Sequence, residues 1–198
     1  MYDFIEGRLE ELDPISATVQ TGSFGYLVHI SLNTFTALQS FLGSEKSCKI
    51  YLHQVIREDA QLFYGFSAKK ERALFRLLIT VSGVGAGTAR MILSSLSAEE
   101  LQKAIAEGNA HVLKNVKGIG LKTAQRIIVD LKDKIGMANM AGESFLQTAG
   151  SSKEEASSAL INLGFTKASV EKALDKIVAA RPSITVEELI KEALKAGI

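Results

Sequence analysis

The sequence predicts a multi-domain α+β chain in four parts: a strand-rich barrel over residues 1–66, an all-helical segment over 67–136, a flexible linker over 137–151 and a three-helix unit over 152–198. Three observations predict it. Apolar residues recur with a period of two up to about residue 66 and with a helical period beyond it. A run of small and polar residues then breaks the helical pattern. Finally, one motif inside the helical segment occurs twice, 35 residues apart.

In the barrel segment, Tyr26, Val28 and Ile30 alternate with Leu27 and His29, and Cys48, Ile50 and Leu52 alternate with Lys49, Tyr51 and His53. Turn chemistry stands between the runs at Asp13-Pro14, Thr21-Gly22-Ser23 and Gly43-Ser44. A further pair of strands meets at Arg57-Glu58-Asp59-Ala60, because Leu62, Tyr64 and Phe66 resume the alternation. Five or six short strands with aromatic side chains fit a small closed sheet such as an OB-fold, and the first 66 residues read as strands throughout.

From Lys69 the stripe Leu74, Phe75, Leu77, Leu78 marks a helix ending at Ser82-Gly83, and Met91, Ile92, Leu93, Leu96 mark a second. Ser97-Ala98-Glu99-Glu100 carries the capping-box signature of a third, which runs to about Gly108. Helices over 112–116 and 123–135 complete the segment. Around Met137-Ala138-Asn139-Met140-Ala141-Gly142 and Gln147-Thr148-Ala149-Gly150-Ser151-Ser152 the periodicity fades, which predicts the linker. Three short helices follow over 154–163, 167–179 and 185–196, with Gly164 ending the first and Arg181-Pro182 separating the others.

Composition bounds the function. Net charge is +1 over 198 residues, but residues 1–64 carry 4 basic and 8 acidic side chains, 65–136 carry 12 and 6, and 137–198 carry 7 and 8. The basic excess lies in the helical segment, where a polyanion would dock. No apolar run reaches the length of a membrane helix, the acidic N-terminus is unlike a secretory signal, and the lone Cys48 allows no internal disulfide. A cytoplasmic protein is expected. His29, His53 and His111 lack a second ligand at zinc spacing, so no metal or cofactor is expected, and the first two read as ordinary barrel residues.

The chemistry lies in the repeat. Leu78-x-x-Val81-Ser82-Gly83-Val84-Gly85-Ala86-Gly87-Thr88-Ala89 realigns with Leu113-x-x-Val116-Lys117-Gly118-Ile119-Gly120-Leu121-Lys122-Thr123-Ala124. Two glycines around one apolar residue permit a tight reversal and a close backbone approach. Val84 or Ile119 can anchor the bend while amides at the next helix start face an anion. A DNA phosphate is the obvious anion, and Lys122 and Arg126, four apart, can flank the same strand. A plain helix–helix connection would explain one copy; two in register within the only basic part favour two phosphate clamps. The first copy lacks a P-loop lysine, and neither follows a strand as a dinucleotide site requires. The residues expected to meet DNA are Gly83, Val84, Gly85, Gly87, Thr88 and Arg90 in the first clamp, and Gly118, Ile119, Gly120, Lys122, Thr123 and Arg126 in the second.

Taken together, the chain resembles the RuvA family of bacterial Holliday-junction-binding proteins. The resemblance covers all the parts in order and is most specific at Arg57-Glu58-Asp59-Ala60-Gln61-Leu62, at Tyr64-Gly65-Phe66 and at the two hairpins. It implies a homotetramer that holds four-way junction DNA open, a non-catalytic role, and recruitment of the hexameric ATPase RuvB through residues 152–198, with the RuvC resolvase as a further partner. It also implies that Glu58 and Asp59 form an acidic pin at the crossover, although an Arg-Glu-Asp turn by itself is commonly a solvated hairpin. Family members often carry a lysine after the first hairpin; here that stretch is Ala86-Gly87-Thr88, so the first clamp leans on amides, Thr88 and Arg90.

Leu163-Gly164-Phe165 resembles the first loop of ubiquitin-associated domains, and Leu163 and Phe165 are the expected partner contacts; a helix cap with Phe165 in the small core is the alternative. Asp130 and Asp133 invite comparison with helix-hairpin-helix repair enzymes, yet they alternate with Lys132 and Lys134 and read as ion-paired surface residues with no catalytic site. A single-strand-binding adaptor using the barrel face is the remaining alternative.

Overall fold

The computed structural model describes residues 2–144, 152–181 and 184–197. Two compact units emerge, Met1–Met137 and Ala138–Ile198.

The first unit opens with five strands, β1 (Phe4–Asp13), β2 (Ser16–Thr21), β3 (Phe24–Ile30), β4 (Cys48–Ile56) and β5 (Gln61–Phe66). They close into a barrel in the order β1-β2-β3-β5-β4, in which only β3 and β5 run parallel. Closure needs β1 to pair on both sides, with Leu9↔Val19 toward β2 and Ile5↔Ile50 toward β4. A register shift between Leu9 and Glu11 supplies the bend, as bulges do. Ile5, Leu9, Val19, Val28, Ile30, Cys48, Ile50 and Leu52 fill the interior. Gly65 fits because nothing larger can: a Cβ there would lie 2.4 Å from Val28 Cγ1 and 2.6 Å from Ile50 Cγ2.

The expectation of strands throughout the first 66 residues needs one correction. Helix α1 (Leu32–Leu38) and a 3-10 turn (Gln39–Phe41) intervene between β3 and β4. Ser31 starts α1 by accepting from the Thr34 amide, 3.1 Å away. Seven residues make too short a stretch for a helical stripe to show.

The helical part comprises α2 (Lys69–Leu78), α3 (Ala86–Ser95), α4 (Ala98–Ala106), α5 (Ala110–Lys114) and α6 (Leu121–Ser144). The expected capping box is present at Ser97 and Glu100. Barrel and helices share a core: Tyr64 and Phe66 of β5 pack on Phe75 of α2, with ring centroids 5.1 and 4.9 Å apart. Two buried charged residues of α2 secure the same junction. Glu71 accepts from the Ser31 hydroxyl and, at 2.7 Å, from Thr34 Oγ1. Arg72 donates to the carbonyls of Asp3 and Leu52, at 2.6 and 3.2 Å, and to the Asp3 carboxylate at 2.7 Å. At the far side Asn33 Nδ2 donates to the carbonyls of Leu93 (2.6 Å) and Leu96 (3.0 Å), fastening α1 to the end of α3.

A second correction concerns the linker. Helix α6 continues to Ser144, so residues 137–144 of the expected linker are helical. Met137, Ala138, Met140 and Ala141 lack an apolar stripe but have high intrinsic helix propensity, and a helix already under way extends readily through them. Residues 145–151 of that segment lie outside the described residues.

The second unit contains α7 (Ser152–Asn162), α8 (Lys167–Ala180) and α9 (Val186–Lys195) around Ala156, Leu160, Val170, Leu174, Ile184, Leu189 and Ala193. The three expected helices are found within two residues of their expected ends. Thr166 and Thr185 cap α8 and α9, while Pro182 lies outside the described residues. Among the described residues no helix is long and apolar enough to cross a membrane.

Candidate nucleic-acid interface

The two hairpins repeat one another bond for bond. In the first, the Val81 amide donates to Leu78 O (3.0 Å), the Val84 amide to Val81 O (3.0 Å) and the Ala89 amide to Gly85 O (2.9 Å). In the second, Val116 donates to Leu113 O (3.1 Å), Ile119 to Val116 O (3.0 Å) and Ala124 to Gly120 O (2.9 Å). Gly83 and Gly118 take φ of +88° and +89°, a left-handed bend that a side chain resists. The apolar residue between each glycine pair points inward, Val84 at 4% and Ile119 at 5% exposure. The glycines themselves are exposed.

The other glycines of the motif have no such local cause. Gly85, Gly87 and Gly120 have ordinary φ, and a Cβ at each would meet nothing within 4 Å. Gly87 is the second residue of α3 (Ala86–Ser95), in its first turn. Neither φ nor packing requires these three positions to be bare, and a bare position leaves the main chain open to close approach.

The helix starts behind the bends are chemically open. Ser31, Ser97, Asn109, Thr166 and Thr185 each cap a helix with a side-chain oxygen. Gly85 offers none to α3, and Gly120 has no side chain to offer α6. The first amides of these helices, like those of α2 behind Ala68, therefore lack a capping side chain, and the positive end of the helix dipole lies behind them.

Around the second hairpin Lys117, Lys122 and Arg126 are exposed, with Arg126 Nε 3.8 Å from Asp130 Oδ2. Thr88 and Thr123 are half-buried at matching places. Arg90 is directed elsewhere: its guanidinium donates to the carbonyl of Ile15, in the turn between β1 and β2, at 3.0 Å. Asp130 is ion-paired as expected; the side chain of Asp133 lies outside the described ones.

Glu58 and Asp59 are exposed at the tip of the β4–β5 hairpin, which the Arg57 amide closes by donating to Ala60 O at 2.8 Å. In the second unit Gly164, at φ +101°, ends α7 with two closing bonds, from its own amide to Ile161 O and from the Phe165 amide to Leu160 O. Phe165 packs against the small core, whereas Leu163 is 63% exposed.

His29 and His53 are barrel residues that lean on the rings of Tyr64 and Phe75, 5.6 and 5.3 Å between centroids. Burial lowers the pKa of both. Among the described residues no three His, Cys, Asp or Glu side chains are grouped to hold a metal ion. Sequence reasoning missed the Ser31–Thr34–Glu71 cluster and Arg72. The signal was there in part: Glu71 shares a helical face with Leu74, Phe75 and Leu78, an apolar stripe on which a carboxylate must find partners.

A small closed barrel followed by two superposable Gly-x-Gly hairpins defines a tandem helix-hairpin-helix protein. The family description "SAM-like Helix-hairpin-helix tandem" matches residues 75–133. "RuvA N terminal domain" matches residues 1–65 and "RuvA, C-terminal domain" residues 151–196, and the chain belongs to the RuvA family. It is 49% identical over 203 residues to the Holliday junction branch migration complex subunit RuvA of Bacteroides fragilis, covering 98% of this chain and 99% of that protein. The RuvA subunit of Bacteroides thetaiotaomicron gives the same identity and coverage. That of Flavobacterium psychrophilum is 41% identical over 195 residues, again covering 98% and 99%.

Proposed function

We propose that this chain is the non-catalytic junction-recognition subunit of a branch-migration complex, acting in recombination and DNA repair in the cytoplasm. As a homotetramer it binds a four-way junction, holds the arms open and planar, and recruits the RuvB ATPase through residues 152–198. Each hairpin accepts a backbone phosphate on the amides behind Gly85 or Gly120. Glu58 and Asp59 form the acidic pin at the crossover, and exposed Leu163 contributes to the ATPase contact. A RuvC resolvase would meet the same open junction.

The observation that carries this reading is the set of exposed glycines, Gly85, Gly87 and Gly120, that neither backbone conformation nor internal packing requires. They lie where two uncapped helix starts and a basic surface make a phosphate the fitting ligand. The names of the relatives support the junction as the substrate. A repair-enzyme reading has less support, because Asp130 is engaged by Arg126.

The test compares a four-way junction, a linear duplex and a single strand of matched sequence in gel shifts with the full-length protein, alongside its mass in solution. The junction should bind at far lower protein concentration than either linear form, and the mass should be that of four chains. Equal affinity for junction and duplex at the same salt concentration would overturn the proposal.

A further inference from the structure

The two hairpins share their main-chain geometry but not their charge. Setting the second on the first at the offset of 35 places Lys117 on Ser82, Lys122 on Gly87 and Arg126 on Met91. All three cations are exposed, and each has an uncharged counterpart. Arg90 is the one basic residue of α3 (Ala86–Ser95), and it is turned back onto the Ile15 carbonyl of the barrel, 3.0 Å away. Residues 82–88 of the first bend carry no basic side chain, and Arg90 keeps its charge but is tethered to the barrel; in the second, Arg126 faces Asp130 at 3.8 Å while Lys117 and Lys122 stand at the bend itself. What the first has instead is Gly87, a bare helical position with open space around it, and a helix fastened to the barrel. That fastening runs through Arg90, through Asn33 to the Leu93 and Leu96 carbonyls, and through the Leu32 amide to Ser94 Oγ at 3.1 Å.

We propose that both hairpins offer main-chain amides to the sugar–phosphate backbone, but that the second adds cations to its grip while the first relies on its amides, brought close by Gly87. This division rests on the DNA-binding reading above. Physically, a cation on a phosphate releases condensed counterions and makes affinity fall with salt, whereas a neutral amide releases far fewer. The second hairpin therefore sets how strongly the complex responds to ionic strength. The first, rigidly referenced to the barrel and to the acidic tip it carries, sets where the backbone lies.

The experiment measures junction affinity of the full-length protein and of Lys122→Ala, Gly87→Ala and Gly87→Lys across a salt series. Positions 87 and 122 are exposed, so thermal midpoints should stay at or above the parent's for Gly87→Ala and close to it for the others. Lys122→Ala should flatten the log–log salt slope by about 0.9 per engaged subunit. Its affinity deficit should accordingly narrow by about 3.5-fold per engaged subunit between roughly 50 and 200 mM salt. Gly87→Ala should weaken binding by the same factor at every salt concentration, leaving the slope unchanged, and Gly87→Lys should steepen it by about 0.9 per engaged subunit. If Gly87→Ala flattens the slope as much as Lys122→Ala, or Gly87→Lys leaves it unchanged, the division is wrong. A parent protein that fails to prefer the junction defeats the proposed function itself. A parent that prefers it, but whose variants show one common salt response, defeats only the division between the hairpins.

Discussion

Glu71 occupies a place where the period of α2 calls for an apolar side chain, and the fold accommodates it by surrounding it with hydroxyls. Ser31 and Thr34 direct their protons to its two oxygens, and each hydroxyl in turn accepts from a main-chain amide, those of Thr34 and Ser67. Burial pushes the Glu71 pKa above its ordinary value, and the two hydroxyl bonds offset this only in part. An acid whose pKa is raised on folding holds its proton more tightly in the native state. Its contribution to stability is therefore fully present below the unfolded value and is lost as pH rises through the native one. Asp3, Glu99 and Glu100 are shifted the opposite way, chiefly by hydrogen bonds to Arg72, Lys70 and the Ser97 amide, so total stability does not isolate the effect. The difference between the parent and Glu71→Gln does. In urea titrations the parent should lose stability relative to Glu71→Gln as pH goes from below 4.5 to neutrality; a difference constant with pH would contradict the account. Glu71→Ala, which strands two buried hydroxyls, should cost about 1–3 kcal/mol.

Among the elements, the β4–β5 hairpin offers the plainest experiment. Its tip is closed by one main-chain bond, and Glu58 and Asp59 are exposed, so neutralising them leaves the barrel intact. Carboxylates close to phosphates repel them by about 1 kcal/mol per pair in water and more where water is excluded. Changing Glu58→Gln and Asp59→Asn together should preserve or strengthen junction binding while reducing its preference over duplex. Gel shifts showing weaker binding to every substrate would refute a repulsive pin. This hairpin, its strands and its turn were legible in the sequence because its period of two spans both arms. Helices α1 and the end of α6 were not. The first is too short to display a stripe, and the second has propensity without amphipathicity, so periodicity, which senses burial, passed over both. The hairpins of the repeat were legible because glycine requirements are local and written in single residues. The Arg90 contact was illegible for the opposite reason: its partner, Ile15, lies 75 positions away in the chain.

Over the whole molecule, barrel and helices belong to one body although they read as two domains. Tyr64 and Phe66 put strand residues into the helical core, and a period change marks where secondary structure switches, not where packing stops. Among the described residues, the second unit has its own small core of seven buried side chains. Removing residues 152–198 should consequently leave junction affinity within about twofold, the usual scatter for a change of a few tenths of a kcal/mol, and abolish stimulation of the RuvB ATPase. Loss of both in paired binding and ATPase assays would show that the two activities are not separable in this way.

The pairing of β1 with both β2 and β4 reaches beyond the barrel's own stability. A sheet rolled shut gives every strand a neighbour on both sides, and so leaves a neighbouring molecule only short stretches of main chain to extend. For a protein proposed to gather in several copies around one length of DNA, that matters. Crowded subunits then meet chiefly through side chains, where size and charge decide who fits, and the runaway zippering that open sheets invite has little to start from.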